Sequence, residues 1–423
     1  MPDLTIADIA HVNPPARIAK GLTGGSAVSF IPMTDVSESG HWTFKQSRPL
    51  SSVTTGFTAF GEGDVLVAKI TPCLENGKGA HAVGLENGLG FGSTEFHVLR
   101  ARPGNQPRFL FHLTQWRRFR HAAEGQMVGS AGQQRVPRAF FAEFRIREFD
   151  ATEQEKVAQI LDTLDTAIQE TEAIIAKLKA VKQGLLHDLL TRGIDDNGEL
   201  RPPQTEAPQL YRKSPVGWIP NAWELSKVGT EFEIQLGKML DAEKNTGALK
   251  PYIGNKAVQW DRIDLGEVQY VRLAKSDILR FRLQRGDLLV CEGGDVGRAA
   301  IWEDELAECY YQKALHRLRP IRGFRPRLML ELLRYLMSKD ALSEYVSRTS
   351  IAHLTQEKLA AVPLPTPNVE EQDRIVAMLS AAKGREEAEE ASLLQHRQVK
   401  AGLMDDLLTG RVRVTPLLEP TAA

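Results

Sequence analysis

The chain has 423 residues, room for two to four domains, and its 42% hydrophobic and 25% charged residues are ordinary for a folded globular protein. No apolar run approaches the ~18 residues of a membrane span, and the start MPDLTIADIAHVNPPARIAKG lacks the basic and apolar regions of a signal peptide, so a cytoplasmic location with no membrane partner is expected. The net charge of −1 hides a segregation: residues 100–150 carry ten Arg against four acids, residues 310–350 nine Lys/Arg against three acids, and residues 151–200 ten acids against five bases. Two basic segments fit a nucleic-acid partner better than the total charge does, although solvated helix faces explain them equally well. Cys73, Cys291 and Cys309 form no CxxC pair, which argues against disulfides and against a zinc site.

Residues 1–150 hold short β-rich runs (VSFIPM, DVLVAKI, FHVLRA) broken by Gly and Pro around one helical stretch, PRFLFHLTQWRRFRHAAEG, the pattern of an α+β domain. Residues 151–192 predict one long helix. Val157, Leu161, Leu164, Ile168, Ile175, Leu178, Leu185 and Leu189 keep an a/d spacing that Thr171 and Lys182 interrupt. About 40 helical residues span roughly 60 Å. Residues 193–217 are Pro-rich and polar, and are expected to be an exposed linker. Residues 218–368 repeat the α+β pattern with KPYIGN, EVQYVRL, DLLVCEG and HRLRP, and again hold one helical stretch, PRLMLELLRYLMSKDALSEYV. Residues 369–412 predict a second long helix. It keeps Ile375, Leu379, Leu393, Leu403 and Leu407 on the seam but also places Glu386, Glu389, His396 and Lys400 there, with Gly384 inside, so a less regular helix is expected. The tail, 413–423, is expected to fray.

The chain repeats itself. Residues 153–191 align without a gap on 371–409 at an offset of 218, sharing Gln154/Gln372, Leu161/Leu379, Val181/Val399, Lys182/Lys400, Gly184/Gly402 and the ending Asp-Leu-Leu-Thr. GDVLV at Gly63 matches GDLLV at Gly286, and FHVLR at Phe96 matches LHRLR at Leu315. The fold expected is α+β: two similar domains joined by two long antiparallel helices in a coiled coil, with an internal pseudo-twofold repeat. A single helix and an intermolecular dimer remain open alternatives for the long segments.

Catalytic motifs are scarce. In Glu75-Asn-Gly77-Lys78-Gly79, Pro72 stands where a P-loop has its first glycine, and Gly79 replaces Ser/Thr. Gly293-Gly294-Asp295-Val296-Gly297 follows a strand but lacks the GxGxxG spacing. Asn13-Pro14-Pro15 is followed by Ala16, where the NPPY motif of amino-methyltransferases has its aromatic residue. No HExxH or His/Cys cluster and no GxSxG elbow occurs. A binding protein without cofactor or metal is therefore favoured over an enzyme.

GWIPNAWELSKV (Gly217–Val228) opening the second unit, and the frame running from an EQ pair to LLTG-like endings (LLHDLLTRGI, LMDDLLTGRV), present twice, resemble the specificity subunits of type I restriction–modification systems. The resemblance covers essentially the whole chain. Ala131-Gly132-Gln133 departs from the family's Thr-Gln-type loop, and RIREFD departs from its Pro-ended strand. The resemblance implies two target-recognition domains, each reading half of a split site in double-stranded DNA. It also implies spacer helices that seat two modification (methyltransferase) subunits, and restriction subunits that can join; methylation and ATP-driven cleavage belong to those partners. The candidate DNA contacts lie in loops. Lys69, Thr71 and Lys78 follow the first GDVLV strand, and Arg298 follows the second. Gln133, Gln134, Arg135 and Arg138 lie in the first late loop, and Arg348, Thr349, Ser350, His353 and Gln356 in the second. Arg and Gln can pair bidentately with guanine and adenine edges, whereas Lys, Ser and Thr typically hold phosphates. A coiled-coil adaptor without DNA contact, or a fragment of a fused methyltransferase, are the alternatives.

Overall fold

The structure is a computed structural model that describes residues 3–16, 20–130, 132–241, 243, 245–345, 347–348 and 352–417. The chain divides into two units, Met1–Ile174 with Glu389–Ala423, and Ile175–Ala388.

In the first unit the apolar run Val65–Ala68 is buried at every position, which places it inside a sheet. That sheet runs Ala10–Val12, Phe96–Ala101, Val65–Ala68, Gly79–His81, all antiparallel. A second sheet runs Gln46–Pro49, Ala27–Ile31, Leu89–Gly92, Thr58–Gly61, with the central pair parallel. Pro107 starts the helix Pro107–Gln115 at a position that needs no backbone donor. The single helix expected from 107 to 125 is broken. Trp116 is extended (φ −67°, ψ 130°), and the helix Arg117–Glu124 follows it. At this break the indole Nε1 donates to Asp405 at 2.5 Å. Phe109, Phe111, Phe119, Phe140 and Phe141 fill the core beneath, the rings of Phe119 and Phe140 meeting edge to face at 5.1 Å.

The second unit repeats the first sheet as Phe232–Leu236, Leu315–Pro320, Leu288–Cys291, Ala299–Ile301. Its other main sheet has three strands, Gln269–Leu273, Ala248–Ile253 and Tyr310–Tyr311. The helix Pro326–Ser338 is unbroken. In each unit the strand leading into a long helix pairs with an early strand: Arg145–Arg147 with Asp3–Thr5, and Pro363–Thr366 with Glu224–Lys227. RIREFD thus forms its strand without the family's prolines.

Both long helices, Ala151–Thr191 and Val369–Thr409, run 41 residues. The less regular second helix that was expected is not found. The helix is continuous through Gly384, and two of its polar seam residues, Glu386 and Lys400, have ion-pair partners. In the second unit Glu386 receives Lys182 and, at 3.8 Å, Lys179. In the first, Lys400 meets Asp165, and Arg397 lies 2.7 Å from Glu172. In the first unit residue numbers rise along one helix as they fall along the other, so the segments there are antiparallel. Val157, Leu161, Met404, Leu407 and Leu408 bury the first unit's seam; Leu189, Leu190, Ile375 and Leu379 bury the second's.

The EQ frame has a local explanation. Asp150 and Asn368 accept from the backbone N–H of Glu153 and Glu371 at 2.8 Å, capping each long helix. The following glutamine ties helix to head. Gln154 accepts from Gln106 N and donates to Phe149 O (2.9 and 3.0 Å), and Gln372 accepts from Arg325 N and donates to Pro367 O (both 2.9 Å). At the other ends Gly193 and Gly410 take positive φ (65° and 70°), where an L side chain would be strained.

Residues 193–217, expected to be an exposed linker, are mostly exposed or half-exposed but are held at specific points. Arg201 grips the buried Glu371 carboxylate at 2.5 and 3.0 Å, and Ile194 N and the Trp223 indole also donate to it. Tyr211–Ser214 and Gly217–Pro220 form a hairpin. Four donors on one buried acid explain why this Pro-rich stretch is held, and why Trp223 of the GWIPNAW segment is buried. In the tail, Val414 is buried in the first unit's core, and residues 418–423 lie outside the described residues.

Candidate nucleic-acid interface

The two late loops are mounted identically. In the first unit, Lys69 N donates to Glu95 O (2.9 Å) and Val136 N to Lys69 O (2.8 Å), and Ile70 bridges Arg135. In the second, Glu292 N donates to Ala314 O (2.9 Å) and Leu354 N to Glu292 O (2.9 Å), and Gly293 bridges His353. A buried histidine from the adjoining strand closes each frame. His97 Nε2 donates to Val136 O at 2.9 Å, and His316 Nε2 to Leu354 O at 2.7 Å. Burial holds both imidazoles below their ordinary range. A buried aspartate in the Gly-Asp turn, Asp64 or Asp287, takes Arg100 or Arg319 in a fork, stiffening the same strands.

Asn13 belongs to the first frame. Its amide donates to His97 Nδ1 at 3.0 Å and accepts from Val98 N at 2.9 Å, with φ at 52°. The Asn-Pro-Pro run is thus spent on positioning. Sequence reading missed Asn13, Glu95 and the histidine pair in this role; the histidine kept in FHVLR and LHRLR was the available signal.

The structure brings Lys69, Thr71, Gln133, Gln134 and Arg135 to one surface, since Thr71 N also donates to Gln134 O at 3.0 Å. Gln133 is exposed; Lys69, Gln134 and Arg135 are half-exposed. Arg135 is forked on Glu95, with Nε and Nη2 each 2.9 Å from a carboxylate oxygen, and its Nη1 donates to Gln133 O at 3.0 Å. The guanidinium holds the Glu95 carboxyl below its usual range. Other candidates are engaged locally. The Thr71 hydroxyl meets Glu75, and Lys78 Nζ donates to Met33 O at 3.2 Å. Arg298 contacts Asp295 and donates to Asn255 O at 2.9 Å, closing the Gly294–Gly297 turn. Arg138 is exposed and shares a cavity with Arg102 and Asn13. In the second unit, Arg348 lies in a strand pair opposite Ala352, and half-exposed His353 follows. Gln356 donates to Ile234 O at 2.9 Å at the start of a helix that Thr355 caps. Thr349 and Ser350 lie outside the described residues.

The basic segments overstate the free charge. Arg317, Arg319, Arg322, Arg325, Arg327 and Arg334 each pair with an acid inside the second unit. Among the described residues, His112, Asp162 and Asp165 lie close enough to share a metal ion. Arg108 and Lys400 already neutralise the two carboxylates, so the cluster reads as an ion-pair network tying the head helix to the long helices.

The two units repeat one backbone frame, and each mounts a different polar loop on it. Residues 220–394 match the family model described as the type I restriction modification DNA specificity domain. The EcoAI specificity subunit of Escherichia coli is 37% identical over 176 residues, 40% of this chain and 29% of that relative. This chain spans about a third of the length of that protein and of the EcoEI specificity subunit. A chain from a solved type I R-M system covers 97% of this chain, and 98% of its own length, at TM-score 0.59 and 17% identity. The S subunit from M. genitalium covers 96% of each chain at TM-score 0.53 and 14% identity. The chain is thus similar to type I restriction–modification specificity subunits in part of its sequence, and shares the fold of the solved ones.

Proposed function

We propose that the chain reads a bipartite sequence in double-stranded DNA and carries no catalysis of its own. In this reading residues 1–150 and 218–368 are the two target-recognition domains. The long helices, 151–192 and 369–412, seat two modification subunits, and restriction subunits join the complex in the cytoplasm. The observation that carries the reading is the twice-built loop frame, identical in backbone bonding and different in side chains: Lys69, Glu95 and Arg135 in one unit answer to Glu292, Ala314 and His353 in the other. One frame with two sets of side chains suits two different half-sites. Two linked half-site affinities multiply when their spacing matches the DNA.

The test is co-expression with a type I modification subunit, followed by methylome sequencing. The expected result is one methylated motif in two defined parts separated by a fixed spacer. Complex formation with no sequence-dependent methylation would favour an adaptor instead.

A further inference from the structure

We propose that Arg135, fixed by Glu95, is the guanine-reading residue of the first unit, and that the second unit has no such reader at the matching position. The inference rests on the proposed function and names the chemistry of one contact within it.

A guanidinium carries five N–H groups. Glu95 takes one on Nε and one on Nη2, and Gln133 O takes one on Nη1. Two remain, one on each terminal nitrogen, and those two nitrogens form the end-on edge of the guanidinium. That edge matches the O6/N7 acceptor pair guanine presents in the major groove. The Arg135 side chain is 40% exposed, so the edge can be reached, while Glu95 is 24% exposed and sits behind it. The loop itself is held by the Thr71 N to Gln134 O bond and by the frame around Lys69, so the fork is aimed before any ligand arrives. A phosphate can be held by a point charge on a mobile stem, as lysine offers, and so does not require a buttressed fork. The second unit keeps the frame but has Ala314 for Glu95 and His353 for Arg135. An imidazole cannot present two parallel donors along one edge.

The test is a selection from randomised duplexes by the chain in complex with its modification subunit. Wild type, Arg135→Ala, Arg135→Lys and Glu95→Gln are compared. The wild type is expected to select a bipartite sequence with one guanine strongly preferred in one half. Arg135→Ala and Arg135→Lys should each lose about ten- to a hundredfold of discrimination at that single position. Lys keeps the charge and Glu95→Gln keeps Arg135, so overall affinity in those two variants should stay within a few-fold. The other half-site should be unchanged throughout. Should Arg135→Ala fail to fold, Arg135→Lys decides alone. Equal weakening on all sequences, or an unchanged preference, overturns the inference and makes Arg135 a phosphate contact or a bystander. A wild type that selects no sequence overturns the DNA-reading function itself.

Discussion

His97 and His316 each hold up a late loop by donating from Nε2 to a backbone carbonyl, and Asn13 donates to His97 on the other side. A second proton on His97 would set two donors against each other, and burial already lowers both imidazoles. Burial lowers His112 too and brings His81 down to about 4. The unfolded chain takes up these protons near pH 6.5. The folded-state values are depressed, so this contribution to stability is complete above about pH 6.5 and is lost as pH falls towards the folded values. The melting temperature is expected to fall steadily from pH 7 to pH 4.5, and His97→Gln, which keeps an amide donor, should flatten the slope. A melting temperature independent of pH over that window would contradict the assignment. The repeated histidine was legible as a repeat. Its neutrality was not, because that depends on Asn13, 84 residues away.

The long helices were the most legible elements, because heptad spacing and capping are local. What occupied the seam was not. Lys182 meets an acid 204 residues away and Lys400 one 235 residues away, and no local pattern announces either partner. The break at Trp116 was hidden for the same reason, its indole ending on Asp405 across 289 residues. The buried seam pair carries a prediction. Lys400→Met leaves the buried Asp165 carboxylate with Arg108 at 3.6 Å and His112 at 4.0 Å, and should cost about 1–3 kcal/mol in urea denaturation. Asp165→Leu with Lys400→Met should recover most of that loss. Leu161→Asp, at a fully buried position, should cost more, about 4 kcal/mol or above.

At the scale of the molecule, the gapless match between the long segments made duplication plain, and the structure carries it into the heads, where sequence similarity is thin. The heads resist sequence reading because strand ends and loops are fixed by backbone bonds such as Val136 N to Lys69 O, which leave no residue signature. On the proposed function, replacing residues 218–368 with the matching domain of a type I specificity subunit should change one half of the methylated motif and leave the other half and the spacer intact, as methylome sequencing would read it. Change in both halves would contradict independent reading. The second unit is one uninterrupted stretch, Ile175–Ala388, whereas the first is assembled from Met1–Ile174 and Glu389–Ala423. On the ribosome the second unit's chain is therefore complete first. The earlier-made first unit must wait for Met404, Leu407, Leu408 and Val414 to emerge and close its core. The part synthesised earliest is the last to mature, and until then the apolar faces of Val157 and Leu161 stand open to chaperones and proteases.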